Sequence, residues 1–143
     1  MALINKNINI TTIERDEVRY KEAIANITKM NLNNQIKCIK GDALEIELND
    51  KYDLIFIDAA KSQNIKFFEK YKCLLNKNGS IIVDNIYFHG VIYEDDSKLS
   101  RNVRGIKRKI LEFIDYINSQ TEYENKIYSK GDGIMVIKVK YEN

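Results

Sequence analysis

Short runs of β-branched and aromatic residues alternate along the chain with longer segments whose apolar residues recur every three or four positions. The short runs predict strands over residues 8–14, 35–40, 52–58, 79–84, 125–129 and 134–141. The longer segments predict helices over residues 17–30, 62–75 and 100–119. Because the strands alternate with helices until a Lys130-Gly131-Asp132-Gly133 turn, we expect an α/β fold. Its sheet should be mostly parallel, with a C-terminal antiparallel hairpin.

Three of these elements carry the clearest patterns. Residues 52–58 are apolar on both faces, which predicts a central strand covered on both sides. The helix over residues 100–119 has one apolar stripe, so it should pack against the sheet. The opposite side of this helix carries the arginines Arg101, Arg104 and Arg108. The helix over residues 17–30 should begin at the N-cap Asp16 and bury an apolar side formed by Val18, Ala23, Ile24 and Ile27.

Composition narrows the function classes only slightly. At 143 residues the chain has the size of one domain, and its net charge of +2 is too small to indicate nucleic-acid binding by itself. Cys38 and Cys73 form no CxxC pair and lie in apolar segments, so two buried, reduced thiols are expected. No apolar stretch approaches the roughly 18 residues that span a bilayer, and no signal peptide precedes the first polar residues. We therefore expect a cytoplasmic protein without membrane contact.

Acidic residues lie at, or just beyond, the ends of the first four predicted strands. These residues are Glu14, Asp42, Asp58 and Asp84, the last followed by Asn85. In a parallel sheet the carboxyl ends of the strands share one edge, and ligands collect at that edge. A carboxylate buried without a partner would cost several kcal/mol, whereas at a strand end it can meet water, a ligand or a metal ion.

Asp58, Asp84 and Asn85 form a candidate site for a hard cation. Three oxygen ligands from two strand ends leave about three octahedral positions for water or substrate, as magnesium prefers. The sequence has no cluster of histidine and cysteine, so zinc is not expected. The alternative is that Asp58 and Asp84 only cap the segments that follow them, and periodicity alone does not separate the two interpretations.

Four further positions have a functional and a structural interpretation. Lys61 lies one turn beyond Asp58 and could act as a general base beside a divalent cation, or be a solvated surface lysine. Glu14 could bind ribose hydroxyls or interact with the dipole of the next helix. His89, the chain's one histidine, could contact substrate or serve as a structural loop residue. The arginine stripe could contact phosphates or be a solvated helix face.

The order of the motifs resembles a known family. IERDE follows the first strand, GDALE the second, YDLIFIDAAKSQ contains the third, and GSIIVDN with a following HG contains the fourth. This order is similar to that of the cation-dependent O-methyltransferases, class I enzymes that use S-adenosylmethionine and include the catechol and caffeoyl-coenzyme A enzymes. YFHG and SRNVRGIKRKI resemble most the bacterial branch that methylates 5-hydroxyuridine in tRNA. The resemblance covers essentially the whole chain and implies a Rossmann-like class I methyltransferase fold.

The resemblance also implies roles for individual residues. Asp58, Asp84 and Asn85 would bind Mg²⁺, and Lys61 would help to deprotonate or orient the acceptor hydroxyl. The residues implied to bind S-adenosylmethionine are Glu14 at its ribose, Asp42 and Ala43 beside its adenine, and Asp58. The residues implied to contact the substrate, a tRNA or a small phenol, are His89, Arg101 and Arg104. The family also favours a homodimer.

One departure from the family pattern affects these expectations. The first strand of the family and the glycine-rich loop after it, which holds the methionine end of the cofactor, have no counterpart in this sequence. The chain is therefore expected to correspond to the last two-thirds of such an enzyme. Methylation of a small catechol-like phenol and a non-catalytic remnant remain alternatives. A phosphoacceptor receiver domain does not fit, because its acidic pair and later lysine are missing.

Overall fold

The computed structural model describes residues 2–3, 5–58 and 60–140. The chain divides into two compact units, Met1–Glu47 and Leu48–Asn143. The predicted end of the last strand at Tyr141 lies outside the described residues. Among the described residues, no helix is both long enough and apolar enough to cross a bilayer. The expectation of one domain over residues 1–143 stays a prediction.

The first unit is a parallel strand pair joined by a helix. Strand β1, Ile10–Glu14, pairs with β2, Ile36–Lys40, in register from Ile10 opposite Ile36 to Glu14 opposite Lys40. Helix α1, Glu17–Lys29, connects them and begins where the Asp16 carboxylate accepts a hydrogen bond of 2.9 Å from the Arg19 N–H. The buried residues of this unit's apolar cluster are Ala2, Ile27 and Leu32.

The second unit contains a four-stranded mixed sheet. Its strands are β3, Tyr52–Ile57, β4, Leu75–Val83, β5, Tyr123–Tyr128, and β6, Ile134–Val139. Their order is β3-β4-β6-β5, in which β3 and β4 are parallel and the other pairs are antiparallel. The predicted α/β fold with a C-terminal antiparallel hairpin is thus confirmed. The sheet was expected to be mostly parallel, and in this unit it is mixed, with one parallel and two antiparallel strand pairs.

Two helices accompany this sheet, α2, Asn64–Tyr71, and α3, Arg101–Ser119. Helix α3 begins as predicted after residue 100, since Ser100 Oγ accepts a hydrogen bond from the Val103 N–H. Its predicted apolar stripe is confirmed, because Ile110, Phe113 and Ile117 have no exposed surface. Fully buried side chains from the sheet and its loops are Ile81, Val83, Ile86, Met135 and Ile137.

The predicted helix over residues 62–75 is shorter and interrupted. A 3₁₀ turn, Lys61–Gln63, precedes α2, and another, Lys72–Leu74, follows it. Strand β4 begins at residue 75, four residues earlier than predicted, because Leu75 pairs with Tyr52 of β3. The apolar residues keep a helical spacing as far as residue 75, although that residue already belongs to a strand because it pairs with β3.

The prediction that residues 52–58 form a central strand is wrong for this sheet. Strand β3 is at the edge, paired with β4 alone, and Phe56 is 57% exposed. Alternation of apolar residues measures what a strand could bury, but a strand is central only if a neighbour pairs with each edge. Strand β3 therefore has more apolar side chains than the described sheet covers.

Three side chains predicted to be buried are exposed. Val18 and Ile24, assigned to the apolar side of α1, are 64% and 39% exposed, and only Ile27 of that helix is buried. Cys73 is exposed, whereas Cys38 is half-buried, and burial raises the pKa of its thiol. Both cysteines are free thiols as expected. The short two-stranded sheet offers α1 a narrower apolar surface than its sequence pattern implies.

A polar contact links α2 to α3 at the surface. The Glu69 carboxylate accepts hydrogen bonds from Lys72 Nζ at 2.7 Å and from the Tyr116 hydroxyl at 2.6 Å. The same tyrosine packs edge-on against Phe68, with ring centroids 6.4 Å apart. The hydrogen bonds that Glu69 accepts, first from Lys72 and then from Tyr116, lower the pKa of Glu69. Donation to Glu69 in turn raises the pKa of the Tyr116 hydroxyl.

We predict that Tyr116→Phe lowers the free energy of unfolding by about 1 kcal/mol at neutral pH, because it removes one hydrogen bond to a charged group. A lowered folded-state pKa of Glu69 means that this contribution is present at neutral pH and is lost as the pH falls through that pKa. Urea denaturation at pH 7 and pH 3 measures the difference. Tyr128→Phe, a change at an exposed ring, should have little effect at either pH. An equal loss at both pH values would contradict the assignment.

Candidate functional site

The parallel pairing of β3 and β4 places two predicted metal ligands at neighbouring strand ends. Ile57 of β3 lies opposite Val83 of β4, and the Asp84 N–H donates to the Ile57 carbonyl at 3.2 Å. Asp58 and Asp84 are the next residues along the two strands, so both leave the sheet at its carboxyl edge. The Asp58 side chain is 58% exposed, which leaves its carboxylate accessible to a ligand.

Lys61 lies against both strand ends. Its Nζ donates to the Asp84 main-chain carbonyl at 2.8 Å and lies 3.8 Å from Asp58 Oδ1. Its side chain is only 11% exposed, although most lysine side chains are solvated. The surface-lysine interpretation is therefore wrong, and Lys61 Nζ is held beside the two candidate ligands.

Asn85 completes the predicted donor set in an unusual backbone conformation. Its φ is 57°, in the left-handed region that residues with a Cβ rarely adopt, and its N–H donates to Asp84 Oδ1 at 2.8 Å. This contact occupies one carboxylate oxygen of Asp84 locally, as the capping interpretation of that residue requires. Both Asp84 and Asn85 are half-buried.

The chemistry of these donors fits a magnesium ion. Two carboxylates and one amide offer only oxygen to a cation, and Mg²⁺ is commonly held by one or two carboxylates with water and substrate. The described residues contain no group of three or more histidine, cysteine, aspartate or glutamate side chains that could hold a metal. A site here therefore depends on the Asn85 amide as its third protein ligand.

The candidate cofactor residues of the first unit also lie at strand ends. Glu14 ends β1 and its Oε1 accepts a hydrogen bond of 2.7 Å from the Asp16 N–H, while its carbonyl accepts one from Gly41. Asp42 follows β2, where its Oδ1 accepts from the Leu44 N–H at 2.8 Å. The pairing of β1 with β2 thus brings Glu14 and Asp42 to one edge, with Ala43 half-buried beside them.

His89 is tied to the turn between β5 and β6. Its N–H donates to both carboxylate oxygens of Asp132, at 2.7 and 2.8 Å, and its ring Nδ1 lies 3.5 Å from Asp132 Oδ2. The His89 side chain is 85% exposed, while that of Asp132 is only 17% exposed. The sequence predicted the turn at Asp132 but not its contact with His89. The signal that could have indicated the contact is an acid placed between two glycines, Gly131 and Gly133.

The two arginines proposed to contact substrate lie on α3. Arg101 and Arg104 are exposed in its first two turns, and Arg108 is exposed one turn later, where it lies 3.5 Å from Glu112. The helix packs against the 3₁₀ turn that contains Lys61. The predicted stripe is thus confirmed as exposed, but no described contact assigns it to a ligand.

A family model described as O-methyltransferase matches residues 1–140 of this chain. The chain belongs to that family. An Arabidopsis thaliana protein named provisionally as a caffeoyl-CoA O-methyltransferase is 31% identical over an alignment of 130 residues, which covers 87% of this chain and 56% of that protein. The chain therefore spans about half the length of this curated relative.

Solved structures of O-methyltransferases have the same fold. A Staphylococcus aureus protein named provisionally as a caffeoyl-CoA O-methyltransferase matches with a TM-score of 0.90 and 38% identity, over 97% of this chain and 68% of that one. A Bacillus cereus O-methyltransferase, solved in complex with SAH, matches with a TM-score of 0.77 and 27% identity, over 92% of this chain and 63% of that one. The expected Rossmann-like methyltransferase fold is confirmed.

The hairpin turn of this family member gives a local test. Gly133 has φ 79°, and a Cβ at this position would lie 2.8 Å from the Tyr87 ring. We predict that Gly133→Ala lowers the free energy of unfolding by about 2 kcal/mol, from backbone strain and overpacking together. Gly131→Ala is the matched control, since φ is 54° there and a Cβ would meet no atom within 4 Å. Urea denaturation should show a larger loss for Gly133→Ala, and equal losses would exclude the contact with Tyr87.

Proposed function

We propose that this chain supplies the metal and substrate end of an enzyme that transfers a methyl group from S-adenosylmethionine to a hydroxyl group. The observation that carries the proposal is the set of neighbouring strand ends, with Lys61 held against both Asp58 and Asp84. Membership of the O-methyltransferase family supports the reaction class. When bound, S-adenosylmethionine supplies the methyl group and leaves as S-adenosylhomocysteine.

Asp58, Asp84 and Asn85 are the proposed ligands of Mg²⁺. When bound, the ion stabilises negative charge on the acceptor oxygen, so the hydroxyl is deprotonated more easily. Of the two carboxylates, that of Asp58 is the more exposed, and Asp58 leaves the sheet beside Lys61. The Asn85 amide adds an oxygen ligand without adding negative charge, which preserves the ability of the site to attract an anionic oxygen.

Lys61 is the proposed catalytic residue. Its Nζ lies at hydrogen-bonding distance from the Asp84 carbonyl and near Asp58, so its position is set by both strand ends. The neutral amine, which a divalent cation bound nearby would favour, can take the proton that leaves the acceptor hydroxyl, whereas the ammonium form can only orient the oxygen for attack. Burial of the lysine stem fixes the group better than a solvated side chain would.

The proposed cofactor residues are Glu14, Asp42, Ala43 and Asp58. Glu14 is the last residue of β1, the position at which nucleotide-binding folds use an acid to hold ribose hydroxyls. Asp42 and Ala43 follow the neighbouring strand β2, and we assign them to the adenine end. The Bacillus cereus relative in complex with SAH supports use of this class of cofactor.

For the acceptor we propose 5-hydroxyuridine in tRNA. The exposed cations Arg101 and Arg104 on α3 suit contacts with backbone phosphates, and a base must leave its stack to reach the strand-end edge. The second candidate is a small catechol-like phenol or a caffeoyl-CoA-like ester. The name of the Arabidopsis relative favours the second candidate. We further propose a cytoplasmic location and a homodimer.

We predict that Asp84→Ala abolishes magnesium-dependent methyl transfer and lowers the affinity for Mg²⁺ at least about tenfold, because it removes one of three ligands. Calorimetric titration with Mg²⁺ and transfer of radiolabelled methyl, with and without EDTA, measure the two effects. Asp115→Ala, at an exposed acid on the outer side of α3, is the control and should change neither. Undiminished transfer by Asp84→Ala would refute the metal role.

The two acceptors are separated by direct competition. Methyl transfer to a tRNA carrying 5-hydroxyuridine should exceed transfer to catechol, and Arg104→Ala should reduce only the tRNA reaction, by about tenfold at low salt. Equal loss on both substrates would contradict a phosphate contact. Absence of S-adenosylmethionine binding to the wild-type chain in calorimetry would favour the non-catalytic remnant.

A further inference from the structure

The segment that follows β4 has a strained backbone. Asn85, Phe88 and His89 have φ values of 57°, 48° and 56°, and Gly90 follows at 80°. Residues with a Cβ seldom adopt this left-handed region, and they persist there only where the surrounding structure holds them. Such positions cluster at functional sites, so the contacts that hold this segment are informative.

The turn between β5 and β6 provides those contacts. The Ile86 N–H donates to the Gly133 carbonyl at 3.0 Å, and the Tyr87 N–H donates to the Asp132 carbonyl at 2.8 Å. The Tyr87 hydroxyl also lies 2.9 Å from Ser129 Oγ. We call residues 129–133 the clamp, since this short segment fixes consecutive residues of the strained segment.

Within the clamp, the Asp132 carboxylate makes the contact at the strained histidine. Both of its oxygens accept the His89 N–H, at 2.7 and 2.8 Å, and the side chain is 17% exposed. A charged acceptor forms shorter and stronger hydrogen bonds than a neutral one. Asp132 Oδ2 also lies 3.5 Å from His89 Nδ1. Holding the His89 main chain in place would not require this second contact with the ring.

This arrangement determines which ring nitrogen is available. With Nδ1 facing the carboxylate, Nε2 faces away from it on a side chain that is 85% exposed. Of the two neutral tautomers, a carboxylate near Nδ1 favours the one that carries its proton on Nδ1, and this tautomer leaves Nε2 as a hydrogen-bond acceptor. The segment that carries this acceptor begins at Asn85, a proposed metal ligand.

We propose that Asp132 is a positioning residue, which holds His89 so that Nε2 accepts a hydrogen bond from the hydroxylated ring of the acceptor substrate. The assignment rests on the proposed function for the identity of the substrate. It adds to that function a dyad of Asp132 and His89, in which only His89 touches substrate. The left-handed residues Asn85, Phe88 and His89 then serve to hold the His89 ring beside the Asp132 carboxylate, four residues beyond the proposed ligand Asn85.

Nuclear magnetic resonance tests the positioning without requiring turnover. His89 is the only histidine, so its ring nitrogens give unambiguous signals. In the wild-type chain these signals should report a proton on Nδ1, and the His89 amide should exchange slowly. In Asp132→Ala the proton should move to Nε2 and amide exchange should become at least about tenfold faster. Asp132→Asn, which keeps one acceptor oxygen, should lie between the two and remains informative if the alanine variant does not fold.

Activity separates positioning from a structural role. Asp132→Asn should reduce kcat/KM for the methyl acceptor about tenfold, as loss of a residue that orients a ligand does, without changing S-adenosylmethionine affinity. The double variant His89→Gly/Asp132→Ala removes the left-handed strain at residue 89. Its midpoint temperature of thermal unfolding should therefore be higher than that of Asp132→Ala and close to that of the wild type, whereas its kcat/KM should stay low. Asp95→Asn, in which the changed carboxylate accepts from the Ser97 N–H, is the control and should behave as wild type.

The possible results divide cleanly. A proton on Nε2 in the wild-type chain, signals unchanged in Asp132→Ala, or full kcat/KM in Asp132→Asn would each overturn the proposal. If the wild-type chain transfers no methyl group, the proposed function fails separately, and binding decides the inference. Catechol or 5-hydroxyuridine must then shift the His89 ring signals in the wild type more than in Asp132→Asn, and no shift with either compound would overturn it.

Discussion

The parallel pairing of β3 with β4 is the constraint on which the candidate site depends. Ile57 lies opposite Val83, so the residues that come next, Asp58 and Asp84, leave the sheet at the same edge. A shift of the register by one residue would turn the side chains of one strand to the other face and separate the two acids. The contacts of Lys61 agree with this register, since its Nζ lies close to both strand ends.

The C-terminal hairpin contributes to the site from far away in sequence. Antiparallel pairing of β6 with β4 places the turn at residues 129–133 beside the segment that follows β4. The main-chain carbonyls of Gly133 and Asp132 then accept from the N–H groups of Ile86 and Tyr87, and the Asp132 carboxylate accepts from that of His89. The hairpin therefore stabilises a conformation that residues 85–90 would not adopt alone, which connects a peripheral sheet element to the proposed ligand Asn85.

Prediction from sequence succeeded where local chemistry decides the outcome. The cap at Asp16 and the apolar stripe on α3 depend on residues within one or two turns, and the structure confirms both. Prediction failed where a distant neighbour decides. Phe56, Val18 and Cys73 lie in segments whose apolar pattern predicts burial, yet all three are exposed. A side chain is covered only by residues from other segments, and the local pattern does not show whether those residues are present.

The sequence by itself determined the order of strands and helices, the acids at the strand ends and the family to which their motifs belong. Those features are written in periods of two and 3.6 residues and in short motifs, which need no knowledge of distant contacts. Only the tertiary structure decided that Lys61 is held against Asp84, that β3 is an edge strand and that Asp132 anchors His89. Each of these depends on which segments pair across 20 or more residues, and local periodicity carries no information about such pairing.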